Sequence, residues 1–179
     1  MKHLFLYGLI TGLVIAAWMY LEYLMGFHAS EIGRYSKFAV FLFTILGIYL
    51  GMRAYRNYTK AGQITYWQGV FSGVLISVFA GIVTAIFTYL YLSFINPEFI
   101  DYMVDLNRRT NIQMGATDVQ VQAEEIVTRA TYQALPQALR TLGGYIAAGS
   151  LFSLIIAGIL KSRRLEITEN QNATNSVNE

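Results

Sequence analysis

Four long apolar runs constrain this chain more than any other feature. They are Leu4–Met25, Phe38–Met52, Gly69–Ile95 and Leu142–Leu160, and no lysine or proline interrupts any of them. A helix needs about 20 such residues to cross a hydrocarbon core of roughly 30 Å. Once inside lipid it must satisfy its backbone amides internally, which a helix does. Their polar members are mainly Ser and Thr, which bond back to their own helix. The runs therefore predict an all-α integral membrane four-helix bundle, with spans at about 4–25, 36–54, 68–95 and 139–160. The first run is longer than the roughly 7–15 residues of a secretion-signal core, so it reads as a retained anchor. Only 13% of residues are charged, about half the share of a soluble domain, whose surface must be wetted.

The connections set the sidedness. One side would hold the N-terminus, the 53–67 connection and the tail, with Lys2, Arg53, Arg56, Lys60, Lys161, Arg163 and Arg164 against three acids. The other would hold six basic residues against eight acids, several of the six in a long connection. Lys and Arg in short segments near span ends weigh most in orientation. The prediction is a multi-pass membrane protein with both termini in the cytoplasm. Aromatic residues agree, because Tyr55, Tyr58, Tyr66 and Trp67 cluster at the proposed inner boundary. Trp18, Tyr20, Tyr23, Tyr35, Tyr89, Tyr91 and Tyr145 cluster towards the outer one, and amphipathic rings favour headgroup depth.

Close approach of helices in lipid depends on small residues. Gly8 and Gly12, Gly47 and Gly51, and the longer row Gly69, Gly73, Ser77, Gly81 and Ala85 stand four apart. The third helix carries the longest row and is the expected centre of the bundle. A four-residue repeat drifts about 40° per step around a helix, so this row is not expected to face one neighbour throughout. Tyr7–Ala16 also aligns without a gap on Gln68–Ser77, and Phe43–Leu46 on Phe152–Ile155. Two duplicated hairpins of equal orientation would explain both matches.

The 96–138 connection is the only sizeable soluble part. Asn96, Pro97 and Glu98 read as a helix start, with Asn as cap, and Ile100, Met103, Val104 and Asn107 form one face. Gly115 ends that helix. Thr117 with Gln120 starts another through a capping box, as Thr65 with Gln68 does for the third span. The second helix bears an apolar stripe of Val119, Ala123, Ile126, Val127, Ala130 and Ala134, and Glu125 with Arg129 forms an i,i+4 pair. Pro136 would stop or kink the chain before the fourth span. The two helices should form an extracytoplasmic amphipathic pair, packed on each other and on the outer surface. The segment 165–179 has too few apolar residues to fold.

Candidate chemistry is sparse. Glu22 is the only charged residue within a span, and two roles suit it: an interfacial carboxylate paired with Arg34 or Lys37, or a proton or ligand site. His28 and Glu31 supply two metal-ligand types where three or four are needed. Glu98, Asp101 and Asp105 align on one helix face, but Arg108 and Arg109 neutralise them. Arg53, Arg56 and their neighbours form a basic collar suited to topology and anionic lipid. Ser72, Ser77, Thr84 and Thr88 can line a path or bond between helices. Cysteine is absent, and there is no nucleophile elbow, P-loop, dinucleotide fingerprint or zinc-protease helix. No cofactor, metal or nucleic-acid partner is implied, and nothing points to an enzyme.

Four features together carry a resemblance: the order of spans, the Gly51-Met-Arg-Ala-Tyr-Arg56 end of span two, the Gly62-Gln-Ile-Thr-Tyr-Trp-Gln-Gly69 entry to span three and the Asn96-Pro97 exit. The chain resembles, over about residues 4–164, the small bacterial four-pass membrane proteins catalogued as domain of unknown function 4199. That resemblance implies a cytoplasmic-membrane location and brings no assigned activity and no catalytic residues. Two functional classes follow. One is a non-catalytic accessory, scaffold or sensor module, whose outer surface at Val119, Ile126 and Val127 meets a membrane-protein partner. The other is a subunit of a small homo-oligomeric transporter or channel.

Overall fold

A computed structural model gives the fold, and it describes residues 2–27 and 31–161. Among the described residues six α-helices follow one another: α1 (Lys2–Leu24), α2 (Glu31–Thr59), α3 (Tyr66–Leu90), α4 (Phe99–Gln113), α5 (Asp118–Tyr132) and α6 (Ala134–Leu160). A π-helical turn, Tyr91–Ile95, extends α3. Among the described residues, four helical stretches are long and apolar enough to cross a membrane: Lys2–Leu24, Phe38–Tyr58, Tyr66–Ile95 and Ala134–Leu160. Their outward apolar side chains, such as Phe5, Leu42, Phe71 and Ile155, are exposed in the isolated chain, as a lipid-facing surface requires. The His28 position and everything after Lys161 lie outside the described residues, as do the side chains of Glu31, Arg34 and Lys37.

The chain divides into two compact units, 1–83 with 144–179, and 84–143. In the first unit, α1, α2 and most of α3 and α6 form the bundle, and glycine sets the spacing. A Cβ on Gly8 would stand 2.6 Å from Phe79 Cβ and 2.8 Å from the Ile76 carbonyl oxygen; one on Gly12 would stand 2.6 Å from Val83 Cβ. These glycines thus bring α1 and α3 together in parallel register. Gly47 meets Thr11, and Gly51 meets the Tyr7 ring and Ile76, so α2 runs antiparallel to α1. Gly69 faces Ala157, Gly73 faces Ser153, and Gly149 faces Ser77. Three small-residue rungs therefore join α3 to α6, again antiparallel. α3 touches all three other helices and is the centre of the bundle, as its glycine row implied.

The first three members of the α3 row, Gly69, Gly73 and Ser77, face α6. The expectation of two duplicated hairpins needs amendment. The aligned glycine motifs have different neighbours: Gly8 and Gly12 lie on α3, whereas Gly69 and Gly73 lie on α6. A strict twofold would return the α3 glycines to α1.

The bundle's buried core gathers Leu4, Ile48, Met52, Ile64, Ile76 and Leu160. Its hydroxyls serve their own helices. Thr11 Oγ1 donates to the Tyr7 carbonyl at 2.7 Å, Thr44 to Val40 at 2.8 Å and Ser153 to Gly149 at 2.6 Å. Ser72 and Ser77 do the same to Gly69 and Gly73. A hydroxyl so paired is small and internally satisfied, which suits a close helix crossing.

α2 runs to Thr59, so Arg53 and Arg56 belong to a helix and the connection shrinks to 60–65. Gly62 makes that reversal with φ of 82°, its N–H donating to the Arg56 carbonyl at 2.9 Å, which closes the α2 end as a left-handed residue does. The Thr65 and Gln68 reciprocal bonds then start α3.

In the second unit, Asn96 does not cap α4. Its backbone N–H closes the π turn onto the Tyr91 carbonyl and its side-chain amide donates to the Tyr91 hydroxyl at 2.8 Å. α4 starts two residues beyond Pro97, with no side-chain cap. Thr117 and Gln120 form the expected capping box on α5, after Gly115 turns the chain with φ of 79°. Pro136 neither stops nor kinks the chain. The break falls at Gln133 (ψ 148°), and Pro136 lies in the first turn of α6, where no N–H partner is needed.

Candidate functional site

Three regions gather the residues with functional chemistry, and the α4–α5 pair is the most informative. The two helices are antiparallel, joined by Arg129 Nη1 to Asp101 Oδ1 at 2.7 Å, Arg108 to Glu125 at 3.6 Å, and Asn107 Nδ2 donating to Thr128 Oγ1 at 3.0 Å. Glu125 and Arg129 each reach across to α4 instead of pairing with one another. The α4 face behaves as expected, with Val104 buried and Ile100, Met103 and Asn107 half-buried. The face of α5 does not. Val121 and Thr128 are the buried positions, while Val119, Ile126 and Val127 are 77%, 72% and 57% exposed. Ala123 and Ala130 are exposed beside them.

The cause lies in the partner face. α4 offers Asn107, Asp101 and Arg108, and a helix docking there does better to present Thr128, Arg129 and Glu125 than an aliphatic row. Charged hydrogen bonds and ion pairs need partners, while exposed aliphatics leave none unmet. The apolar stripe is left turned outward. Sequence periodicity finds the stripe but cannot say which side of α5 wins the neighbour. The acidic row of α4 is similarly engaged: Asp105 pairs with Arg109 at 2.7 Å and Asp101 with Arg129. Among the described residues, no group of three or more His, Asp or Glu side chains is placed to hold a metal ion.

The second region is the last two turns of α1. Glu22 is half-buried, and one of its carboxylate oxygens, Oε1, is fully buried without a hydrogen-bond partner. Trp18, one turn earlier on the same face, has its indole N–H buried and unpartnered too, with its ring edge-on to Phe43 at 5.6 Å. The expected pairing of Glu22 with Arg34 or Lys37 falls outside the described residues. Sequence reading singled out Glu22 but missed Trp18, whose indole looks like an ordinary belt residue. Gln137 Oε1, in the second unit, is a third buried atom without a partner.

The third region is the end of the bundle where α2 and α6 finish. Arg56 Nη1 donates to the Leu160 carbonyl at 3.3 Å and its Nε to Asn57 Oδ1 at 3.3 Å. A guanidinium on a C-terminal carbonyl is a favourable cap. Arg53 is exposed, and Lys60 and Lys161 are half-buried. The packing glycines sit as described above, and Gly81 is buried as well. In the second unit, Thr88 donates to the Thr84 carbonyl at 2.8 Å. Ser72 and Ser77 are bonded in the same way, so each of these hydroxyls donates to its own helix.

Neither the curated proteins nor the solved structures contain a match to this chain. A family model described as Protein of unknown function (DUF4199) matches residues 6–162. That stretch covers α2 to α6 and all but the first residues of α1, and the chain belongs to this family.

Proposed function

We propose that the protein is a non-catalytic accessory or scaffold module of the bacterial cytoplasmic membrane. In this reading its termini and basic end are cytoplasmic, and α5 docks on the apolar helix face of a membrane-protein partner. The observation that carries it is the outward stripe Val119, Ala123, Ile126 and Ala130. These positions alternate by four and three, the spacing of a helix–helix seam. The opposite side of α5 is already spent on α4, so among the described residues the stripe serves no internal packing.

Charge narrows the occupant. α4 and α5 together carry five acidic residues against three arginines, which disfavours an anionic lipid surface and favours a helix whose apolar seam is flanked by Lys or Arg. A photo-crosslinking amino acid at Ile126 should yield, in growing cells, an adduct with a second membrane protein. Ile126→Ser with Val127→Ser should abolish the same adduct when the crosslinker stands at Val119. An adduct of twice the chain's own mass replaces the partner with self-association, and adducts with lipid alone refute the reading.

A second reading rests on a separate observation. Trp18 and Glu22 bury a donor and an acceptor that no described residue satisfies, and an intramembrane carboxylate is a starting point for a transport site. Four spans enclose a path only as an oligomer, so this reading requires one. Loss of a measurable flux in liposomes on Glu22→Gln would favour it over the scaffold.

A further inference from the structure

We propose that the α2–α6 end of the bundle holds the phosphate of an anionic phospholipid headgroup through Arg53, Arg56 and Lys60. Arg53 and Arg56 stand at i and i+3 on α2, which places them on one face, and Lys60 follows directly after the helix end at Thr59. The bond from Arg56 to the Leu160 carbonyl turns that face towards the last turn of α6, where Lys161 follows. At the start of α1, His3 stacks on Tyr58 with ring centres 5.3 Å apart, which brings the neighbouring Lys2 to the same end. Cations from three helices therefore converge. In this unit the one carboxylate among the described side chains is Glu22. It lies at the far end of α1, because α1 and α2 are antiparallel.

Among the described residues, Arg56 keeps donors to spare. A guanidinium offers five N–H donors, and the two bonds of Arg56 leave three. Arg53 is exposed on the same face. Planar guanidinium groups match phosphate oxygens in pairs. Tyr58 and Trp67, 77% and 73% exposed, are amphipathic rings of the kind that settle at headgroup depth. A cluster of basic residues immediately beside a span, with aromatics at the same level, is the chemistry that recognises an anionic lipid. This site does not depend on the partner proposed for α5.

The test uses the full chain in mild detergent, with retained lipid counted by native mass spectrometry. The wild type should retain phosphatidylglycerol in preference to phosphatidylcholine. Among the described residues, the side chains of Arg53 and Lys60 make no hydrogen bond, and Arg53→Gln and Lys60→Gln should each weaken retention about fivefold, with Arg56→Gln adding a similar factor. The charge-matched control Arg108→Gln with Arg109→Gln on α4 should leave retention unchanged. Equal retention of the two lipids by the wild type would overturn the proposal, as would equal losses in the α4 control. Inorganic phosphate distinguishes the sources: displacement of the lipid by millimolar phosphate would mark a site for a free anion and overturn the lipid assignment.

Discussion

Replacing Gly8 and Gly12 with alanine tests the packing of the bundle at its tightest point. A methyl group on Gly8 would lie 2.6 Å from Phe79 Cβ and 2.8 Å from the Ile76 carbonyl oxygen, and one on Gly12 would lie 2.6 Å from Val83 Cβ and 2.9 Å from the Ala80 carbonyl oxygen. Carbon atoms rest at about 3.5–4.0 Å, so α1 and α3 must part by about 1 Å. The obstructing atoms are backbone or Cβ, and no rotamer change removes them. Overpacking of this kind costs about 1–3 kcal/mol, while alanine in place of a helical glycine returns up to about 1 kcal/mol. Each substitution should therefore destabilise by about 1 kcal/mol and the pair by about 2–3 kcal/mol. Gly158→Ala on α6, where nothing lies within 4 Å of the added carbon, is the matched control and should be neutral or stabilising. Unfolding in mixed micelles, titrated with sodium dodecyl sulfate, reads the difference. Equal midpoints for Gly8→Ala, Gly12→Ala and Gly158→Ala would refute the α1–α3 contact.

The second unit offers three further tests. Thr117→Ala removes the cap of α5 at a cost of about 1 kcal/mol, so amide hydrogens in the first turn of α5 should exchange about fivefold faster while those of α1 do not change. Asn107→Ala with Thr128→Ala in a double-mutant cycle should show about 1 kcal/mol of coupling; no coupling would place the α4–α5 face elsewhere. The exposed Asp101–Arg129 pair should contribute about 0.2–1 kcal/mol, seen as α5 exchange that quickens in Asp101→Asn and approaches wild type as salt rises. Salt-independent behaviour would contradict an ion pair at that position.

Much of the fold is legible in the sequence because the bilayer constrains it so strongly. Length and apolarity alone mark Leu4–Met25 and Gly69–Ile95 as helices, and glycine spacing identifies α3 as the centre of the four-helix bundle. Both capping boxes are written locally, in Thr65 with Gln68 and Thr117 with Gln120. Features decided by competition are harder to read. Asn96 has the right neighbours for a cap, yet the Tyr91 hydroxyl and a π turn claim it. Glu125 and Arg129 have the right spacing for a pair, yet each finds a partner on α4. The α5 stripe is visible at Val119 and Ile126, but its exposure depends on what α4 presents opposite. Arg56 reads as a topology signal, and only the folded chain shows its guanidinium closing the end of α6. Trp18 gives no sign in sequence that its N–H will be buried beside Glu22.

The proposed topology, four spans with both termini cytoplasmic, puts the α2–α3 turn and α5 on opposite sides of the membrane. The chain contains no cysteine, so single thiols report on position without background. Gln63→Cys marks the α2–α3 turn and Gln122→Cys marks α5, both at exposed positions. Intact bacterial cells treated with a membrane-impermeant maleimide should label the Gln122→Cys protein at once, and the Gln63→Cys protein only after permeabilisation. Labelling of both in intact cells, or the reverse order, would contradict the account.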